Sequence, residues 1–398
     1  MTANFDEKHP CFSPSGHRAG AQVRSRRTCV ELATPGVQGL RPYVPGKPIE
    51  ELERELGVSN TLKLASNENP LGASPLALEA AAKAVAGLHL YPDDIGFRLR
   101  NKLAARFGIS PDAVVLGSGS SDVIDMVTRA FLGPGRNAVF AEHSFAMYPI
   151  FTQAIGAQGK VAKALPPDHP VMPHGHDLQT LATAVDADTR VVFIANPNNP
   201  TGTWLKAAEL KAFIAGLPED VVVVLDEAYT EFVEEPEFPD GSRWLAEFPN
   251  LIVTRTFSKI FGLAGLRIGY GLANPELAAV VGRVRHPFNV NSIALAAAEA
   301  ALDDEAFIRR SIQVNSAGLK QLASAFDEMG LRHIPSVGNF IAVDVGRSGP
   351  ETYQALLREG VIVRPIANYD LPNHLRVTVG LPEENERFLG ALKKVLGR

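Results

Sequence analysis

The stretch Thr256-Phe257-Ser258-Lys259-Ile260-Phe261-Gly262-Leu263-Ala264-Gly265-Leu266-Arg267-Ile268-Gly269-Tyr270 decides the fold. A lysine follows an apolar, β-like run, is flanked by hydroxyls, and has an arginine eight positions on. That arrangement suits a lysine condensing with an aldehyde whose phosphate is held by Thr256, Ser258 and Arg267. A lone lysine in a loop is usually just solvated, so its upstream partners carry the argument.

The first partner is Val221-Val222-Val223-Val224-Leu225-Asp226-Glu227-Ala228-Tyr229. A continuous β-branched run reads as a strand buried on both faces, the pattern of a parallel sheet. Ligands of such sheets sit beyond the carboxyl ends of the strands, where Asp226 stands. Read blandly, Asp226 caps a helix and Tyr229 packs at a rim. The second partner, Val191-Val192-Phe193-Ile194-Ala195, ends in the turn Asn196-Pro197-Asn198-Asn199-Pro200-Thr201-Gly202, rich in turn formers. The third, Val114-Val115-Leu116-Gly117-Ser118-Gly119-Ser120-Ser121-Asp122, runs from a strand through a glycine turn into a helix start. Backbone N–H groups and the helix dipole make such a turn a phosphate site. It lacks the third glycine of a dinucleotide fingerprint and the Gly-Lys-Ser/Thr of a P-loop.

These four segments, in this order, resemble fold-type I pyridoxal-phosphate enzymes, the aspartate aminotransferase superfamily. The resemblance spans nearly everything from about residue 35 onward. It implies an α/β chain, with a large domain around a mainly parallel sheet and a smaller α+β domain, and pyridoxal 5'-phosphate as cofactor. It further implies that Lys259 holds the cofactor and moves a proton as general base, then acid. Asp226 keeps the ring nitrogen protonated, which makes the ring an electron sink. Asn199 and Tyr229 hydrogen-bond the phenolic oxygen. Ser120, Ser121, Thr256, Ser258 and Arg267 hold the phosphate. Phe145, in His143-Ser144-Phe145, takes the ring-stacking place where tyrosine is usual.

Within that superfamily the chain is similar to histidinol-phosphate aminotransferases. Arg41-Pro42-Tyr43-Val44-Pro45-Gly46-Lys47-Pro48 and Leu64-Ala65-Ser66-Asn67-Glu68-Asn69-Pro70-Leu71-Gly72 look like the family's entry segment and substrate-facing arm. Leu90-Tyr91-Pro92-Asp93 resembles the turn whose tyrosine reaches the neighbouring subunit's cofactor phosphate. Val361-Ile362-Val363-Arg364-Pro365 and Leu375-Arg376-Val377-Thr378-Val379-Gly380 look like its two arginine segments. The resemblance implies a homodimer with a shared site, and Tyr43, Asn67, Arg364 and Arg376 as substrate contacts. It implies transfer of the amino group of histidinol phosphate to 2-oxoglutarate, yielding imidazole-acetol phosphate and glutamate. A planar guanidinium suits both phosphate and carboxylate.

There are departures. The family's glycine turn usually continues Ser-Asp-Glu, where this chain has Ser120-Ser121-Asp122, and Leu381 follows Gly380 where a polar residue is common. An aromatic amino-acid aminotransferase and a threonine-phosphate decarboxylase share this frame and stay open. A regulator on the same fold needs a DNA-binding module, for which some 35 leading residues are too few.

The chain has 398 residues, 45% hydrophobic and 21% charged, with net charge −5. That length suits about two domains, and the acidic balance argues against a nucleic-acid surface. No apolar run reaches the roughly 18 residues of a membrane helix. The two cysteines, Cys11 and Cys29, lie in the tail, which fits a reducing cytoplasm.

Four parts are expected. Residues 1–35 read as a disordered extension, acid-free between Lys8 and Val30 and without an apolar signal region, rather than as a transit peptide. Residues 36–75 read as an extended arm associated with the small domain. Residues 76–290 alternate helical patterns with strands at 113–117, 137–141, 190–195, 221–226, 251–256 and 268–272, and form the large domain. Residues 291–398 form the small domain, with helices from Ser292 and strands near 340–345, 361–363 and 375–379. His174-Gly175-His176, in a proline-rich loop, reads as surface rather than as a metal site.

Overall fold

A computed structural model describes residues 28–398. The greater part of the expected extension, residues 1–27, lies outside the described residues. Beyond it, Cys29–Leu32 forms one helical turn, capped by Thr28 Oγ1 accepting from the Glu31 N–H. A second turn runs over Pro35–Gln38.

The central sheet has seven strands: β1 Val114–Gly117, β2 Asn137–Ala141, β3 Gln158–Ala162, β4 Thr189–Ala195, β5 Val222–Asp226, β6 Leu251–Thr256 and β7 Gly269–Ala273. Their order is β1-β7-β6-β5-β4-β2-β3. The pairs from β6 to β3 are parallel, and β7 runs antiparallel to both neighbours. The sheet is therefore mainly parallel.

The interior strands lack polar alternation because both faces are covered. Val192, Ile194, Val223, Leu225 and Val253 enter one core. Val191, Phe193, Val222, Val224 and Ile252 enter the other. Each such side chain contributes about 1.5–3 kcal/mol by leaving water. Because β4, β5 and β6 are parallel, their carboxyl ends emerge on one edge. β1 ends there as well, since it and β6 are both antiparallel to β7.

The smaller unit is a four-stranded antiparallel sheet ordered Arg364–Pro365, His374–Thr378, Phe340–Asp344, His333–Ile334. Helices Glu305–Glu328 and Pro382–Leu396 pack on it. Leu322, Phe326, Ile341, Val343, Val377 and Phe388 form its core.

The arm is not extended throughout as the sequence suggested. Helix Ile49–Leu56 interrupts it and ends at Gly57 in the left-handed conformation. Leu52 of this helix is buried against Ala65, Leu357 and Ile362. Leu62–Lys63 then pairs in parallel with Val361–Ile362, and Leu62 and Leu64 join the small unit's core. No helix among the described residues is long and apolar enough to cross a membrane.

Candidate active site

The edge where β1, β4, β5 and β6 end opens into a cavity of about 270 Å³. Its walls include Ser120, Ser121, Phe145, Asn199, Asp226, Tyr229, Thr256, Ser258, Lys259 and Arg267. Tyr43 and Asn67 of the arm, and Arg364 and Arg376 of the small sheet, complete it. Of the side chains singled out in the sequence, Tyr91 alone stays outside. It is 82% exposed and stacks on Phe288, ring centroids 4.6 Å apart.

One wall offers hydroxyls, backbone N–H groups and the positive charge of Arg267. Helix Ser120–Phe131 begins there, preceded by Gly119 at φ +86°. A Cβ on Gly119 would lie 2.5 Å from Arg267 Nη2, and one on Gly269 would lie 2.3 Å from the Ser120 nitrogen. Gly119 is therefore required for its backbone angle, and Gly269 for the close approach of backbone. Thr256 Oγ1 donates to Ser258 Oγ at 3.0 Å and accepts from the Ser258 N–H at 3.1 Å. Arg267 Nη1 donates to Ser258 Oγ at 3.3 Å.

At the end of β5, Asp226 is buried with a donor on each oxygen. Tyr148 Oη donates to Oδ2 at 2.8 Å and Thr254 Oγ1 to Oδ1 at 3.1 Å. Burial pushes the carboxyl up to about 6, against the hydrogen bonds of Tyr148, Thr254 and the Ala228 N–H and the charge of Lys259.

Sequence reading missed both donors. Thr254 carries a usable signal, a hydroxyl within the aliphatic run of β6 and directly opposite Asp226 in register. Tyr148 carries none, because 78 residues separate it from Asp226.

Lys259 Nζ donates to the Ser66 carbonyl at 3.1 Å. Burial lowers its ammonium to about 7, helped by the charges of Arg376 and Arg267 and opposed by Glu68 and Asp226. Burial raises the Tyr229 phenol to about 12. Tyr229 Oη accepts from Asn67 Nδ2 at 3.0 Å, which leaves its own proton free to donate.

Arg376 Nη1 donates to Asn199 Oδ1 at 2.5 Å and Nη2 to the Ala65 carbonyl at 2.8 Å. Its Nε is buried without a partner. With Oδ1 engaged, Asn199 keeps its Nδ2 donors free. Arg364 Nη2 donates to the Val44 carbonyl at 2.6 Å, and its guanidinium lies 5.4 Å from the centre of the Tyr43 ring.

The His-Gly-His loop is less exposed than its composition suggested. His176 is buried, and its Nε2 shares a 3.0 Å hydrogen bond with the Ala195 carbonyl. His174 packs edge-on against His143 and His374. Among the described residues no group of three or more His, Cys, Asp or Glu is placed to hold a metal.

The family described as "Aminotransferase class I and II" matches residues 59–392. A Pseudomonas fluorescens protein named "Histidinol-phosphate aminotransferase 2" is 58% identical over 92% of this chain and 98% of its own length. A Pseudomonas aeruginosa protein of the same name is also 58% identical, over 92% and 98%. The chain belongs to the histidinol-phosphate aminotransferase family.

A solved histidinol-phosphate aminotransferase from Sinorhizobium meliloti, in complex with pyridoxal 5'-phosphate, superposes with a TM-score of 0.83. It is 29% identical and is matched over 97% of its length and 92% of this chain. An aspartate aminotransferase variant from Thermus thermophilus, 22% identical with a TM-score of 0.78 over 91% of this chain and 99% of its own, shares the fold.

A histidinol-phosphate aminotransferase uses pyridoxal 5'-phosphate, and the residues present fit that group. The wall of hydroxyls, N–H groups and Arg267 suits its phosphate, and the close approach of its backbone depends on Gly269 lacking a Cβ. Lys259 and Asp226 supply an amine and a carboxylate to the same cavity.

Proposed function

We propose that the protein transfers the amino group of L-histidinol phosphate to 2-oxoglutarate, releasing imidazole-acetol phosphate and L-glutamate. The observation that carries this reading is a single cavity holding Lys259, Asp226 and the hydroxyl-lined wall of Arg267 together with two further arginines, Arg364 and Arg376. The 58% identity to proteins named for this activity supports it.

Pyridoxal 5'-phosphate, when bound, supplies an aldehyde for the substrate amine and an electron-withdrawing ring. Ser120, Ser121, Thr256, Ser258, Arg267 and the helix N-terminus would hold its phosphate. Phe145 would lie against the ring, and Asp226 would face the ring nitrogen. Tyr229 Oη and Asn199 Nδ2 are the free donors for its phenolic oxygen.

Lys259 is the proton carrier. With its ammonium lowered to about 7, a useful share of the amine is unprotonated at neutral pH. It takes the proton from the amine-bearing carbon and holds it for onward transfer.

Arg376 and Arg364 receive the anionic end of each substrate, a phosphate in one half-reaction and a carboxylate in the other. Tyr43 and Asn67 bring the arm over the site and limit water. Tyr91 lies outside its own cavity and is exposed, and that supports a homodimer in which it completes the neighbour's phosphate wall. The chain's two cysteines, Cys11 and Cys29, both lie before its sheets, which fits a reducing cytoplasm.

A side-by-side assay of histidinol phosphate, phenylalanine and threonine phosphate tests the reading. We expect histidinol phosphate to exceed phenylalanine in kcat/KM by at least about tenfold, or ~1.4 kcal/mol of differential transition-state binding. If phenylalanine is the better donor, the aromatic alternative replaces this substrate. Release of CO2 from threonine phosphate without 2-oxoglutarate points instead to the decarboxylase.

A further inference from the structure

Tyr148 belongs to the first turn of helix Met147–Ala154 and is fully buried. Its ring lies parallel to that of Phe193, 4.8 Å between centroids and 5° between planes. The Phe145 ring meets it edge-on at 5.7 Å and 85°. Its hydroxyl has one hydrogen bond, the 2.8 Å donation to Asp226 Oδ2. Burial, then the nearby Asp226 charge, holds that phenol far above its ordinary range, so it stays a donor.

A buried carboxylate becomes more basic, because the dry surroundings penalise its charge. Each hydroxyl that donates to it works the other way. Facing a ring nitrogen, Asp226 and that nitrogen compete for one proton. The less basic the carboxylate, the more of the proton the nitrogen keeps. The flat stack on Phe193 fixes the direction of the Tyr148 hydroxyl, so this donor is aimed before any cofactor arrives.

We infer that Tyr148 is a positioning residue that holds the shared proton on the cofactor's ring nitrogen instead of on Asp226. The same ring supports Phe145, so the carboxylate and the ring contact rest on one side chain. This inference depends on the reading that Asp226 faces the ring nitrogen. The experiment separates the two.

Holoenzyme carrying cofactor labelled with 15N in the ring is examined by NMR, where protonated and unprotonated nitrogens resonate far apart. Wild type should show the protonated position, and Asp226→Asn the unprotonated one. If Asp226→Asn leaves the nitrogen protonated, the reading of Asp226 itself fails.

Tyr148→Phe should move the resonance towards the unprotonated position. Loss of one hydrogen bond to a charged group changes the ratio of the two states about tenfold. Replacing Tyr148 by 4-aminophenylalanine keeps the shape with a weaker donor and should give a smaller shift in the same direction. It also serves if Tyr148→Phe fails to fold. A resonance unmoved in the variants that fold, while Asp226→Asn moves it, overturns the inference and leaves the Asp226 reading intact. A purely packing role for Tyr148 predicts that unmoved result.

Discussion

Arg376 donates to Oδ1 of Asn199 at 2.5 Å, across 177 residues of sequence. One guanidinium on the small sheet thereby fixes the loop that follows β4. Its second bond, to the Ala65 carbonyl, fixes the arm as well.

Replacing Arg376 by alanine should therefore damage both half-reactions. The variant loses the proposed anion contact and leaves Asn199 Oδ1 and the Ala65 carbonyl short of a donor. Truncating a buried, hydrogen-bonded charge costs about 2–5 kcal/mol, so kcat/KM should fall by about 30-fold or more for either substrate. Stopped-flow measurement of each half-reaction checks this. A loss confined to one half would show that the two anions do not share Arg376.

Borohydride reduction of the yellow holoenzyme should bleach its absorption band and leave the cofactor on a Lys259 peptide, which mass spectrometry identifies. Lys259→Ala should still bind cofactor but lose transamination, because the proposed anchor and proton carrier are both gone. Label on another lysine removes Lys259 from the site.

The lowered Lys259 ammonium has a consequence for the cofactor-free protein. Its folded pKa is about 7 against an ordinary value of 10.5. Between those values the unfolded chain binds more protons, so this group's contribution to stability rises with pH. Below about pH 7 its full destabilising effect is present. Lys259→Met should stabilise the apoprotein, by more at pH 7 than at pH 10, as read by urea unfolding. A gain that grows with pH contradicts the sign.

Asp226→Asn should keep the fold and lose most of the rate. Removing one preorganised electrostatic partner commonly costs about 10²–10³ in kcat. A drop under tenfold, measured in the amine half-reaction with the cofactor saturating, would remove Asp226 as the ring partner.

Tyr91 should act on a neighbouring copy. Its ring is 82% exposed on its own subunit. Mixing inactive Lys259→Ala protein with an inactive Tyr91→Ala variant should restore partial activity in the hybrid dimer, because one of its two sites is then intact. A fully active monomer by light scattering at assay concentration refutes the shared site.

The sequence displayed the parts of the molecule whose physics is local. The β-branched runs of β4, β5 and β6 announce strands covered on both faces, and the polar residues at their ends announce the site. Strand β3 gave no such sign. It sits at the sheet's edge with Gln158, Gly159 and Val161 exposed, and only its pairing with β2 defines it. Leu62–Lys63 is too short for any periodicity, and its partner lies far along the chain. Tyr148 escaped notice for the same reason. An aromatic near a helix start reads as core, and its bond to Asp226 exists only in three dimensions.

The pairing of Leu62–Lys63 with Val361–Ile362 also constrains the order of events during synthesis. Leu62 and Leu64 leave the ribosome roughly 300 residues before their partner strand, tens of seconds at about 5–20 residues per second. Through that interval two leucines destined for the small unit's core are without their sheet, while β1 to β7 can already assemble. The segment around Leu62 and Leu64 is thus among the last parts to settle, and a nascent protein stalled before residue 361 would carry it as an adhesive stretch for chaperones to cover.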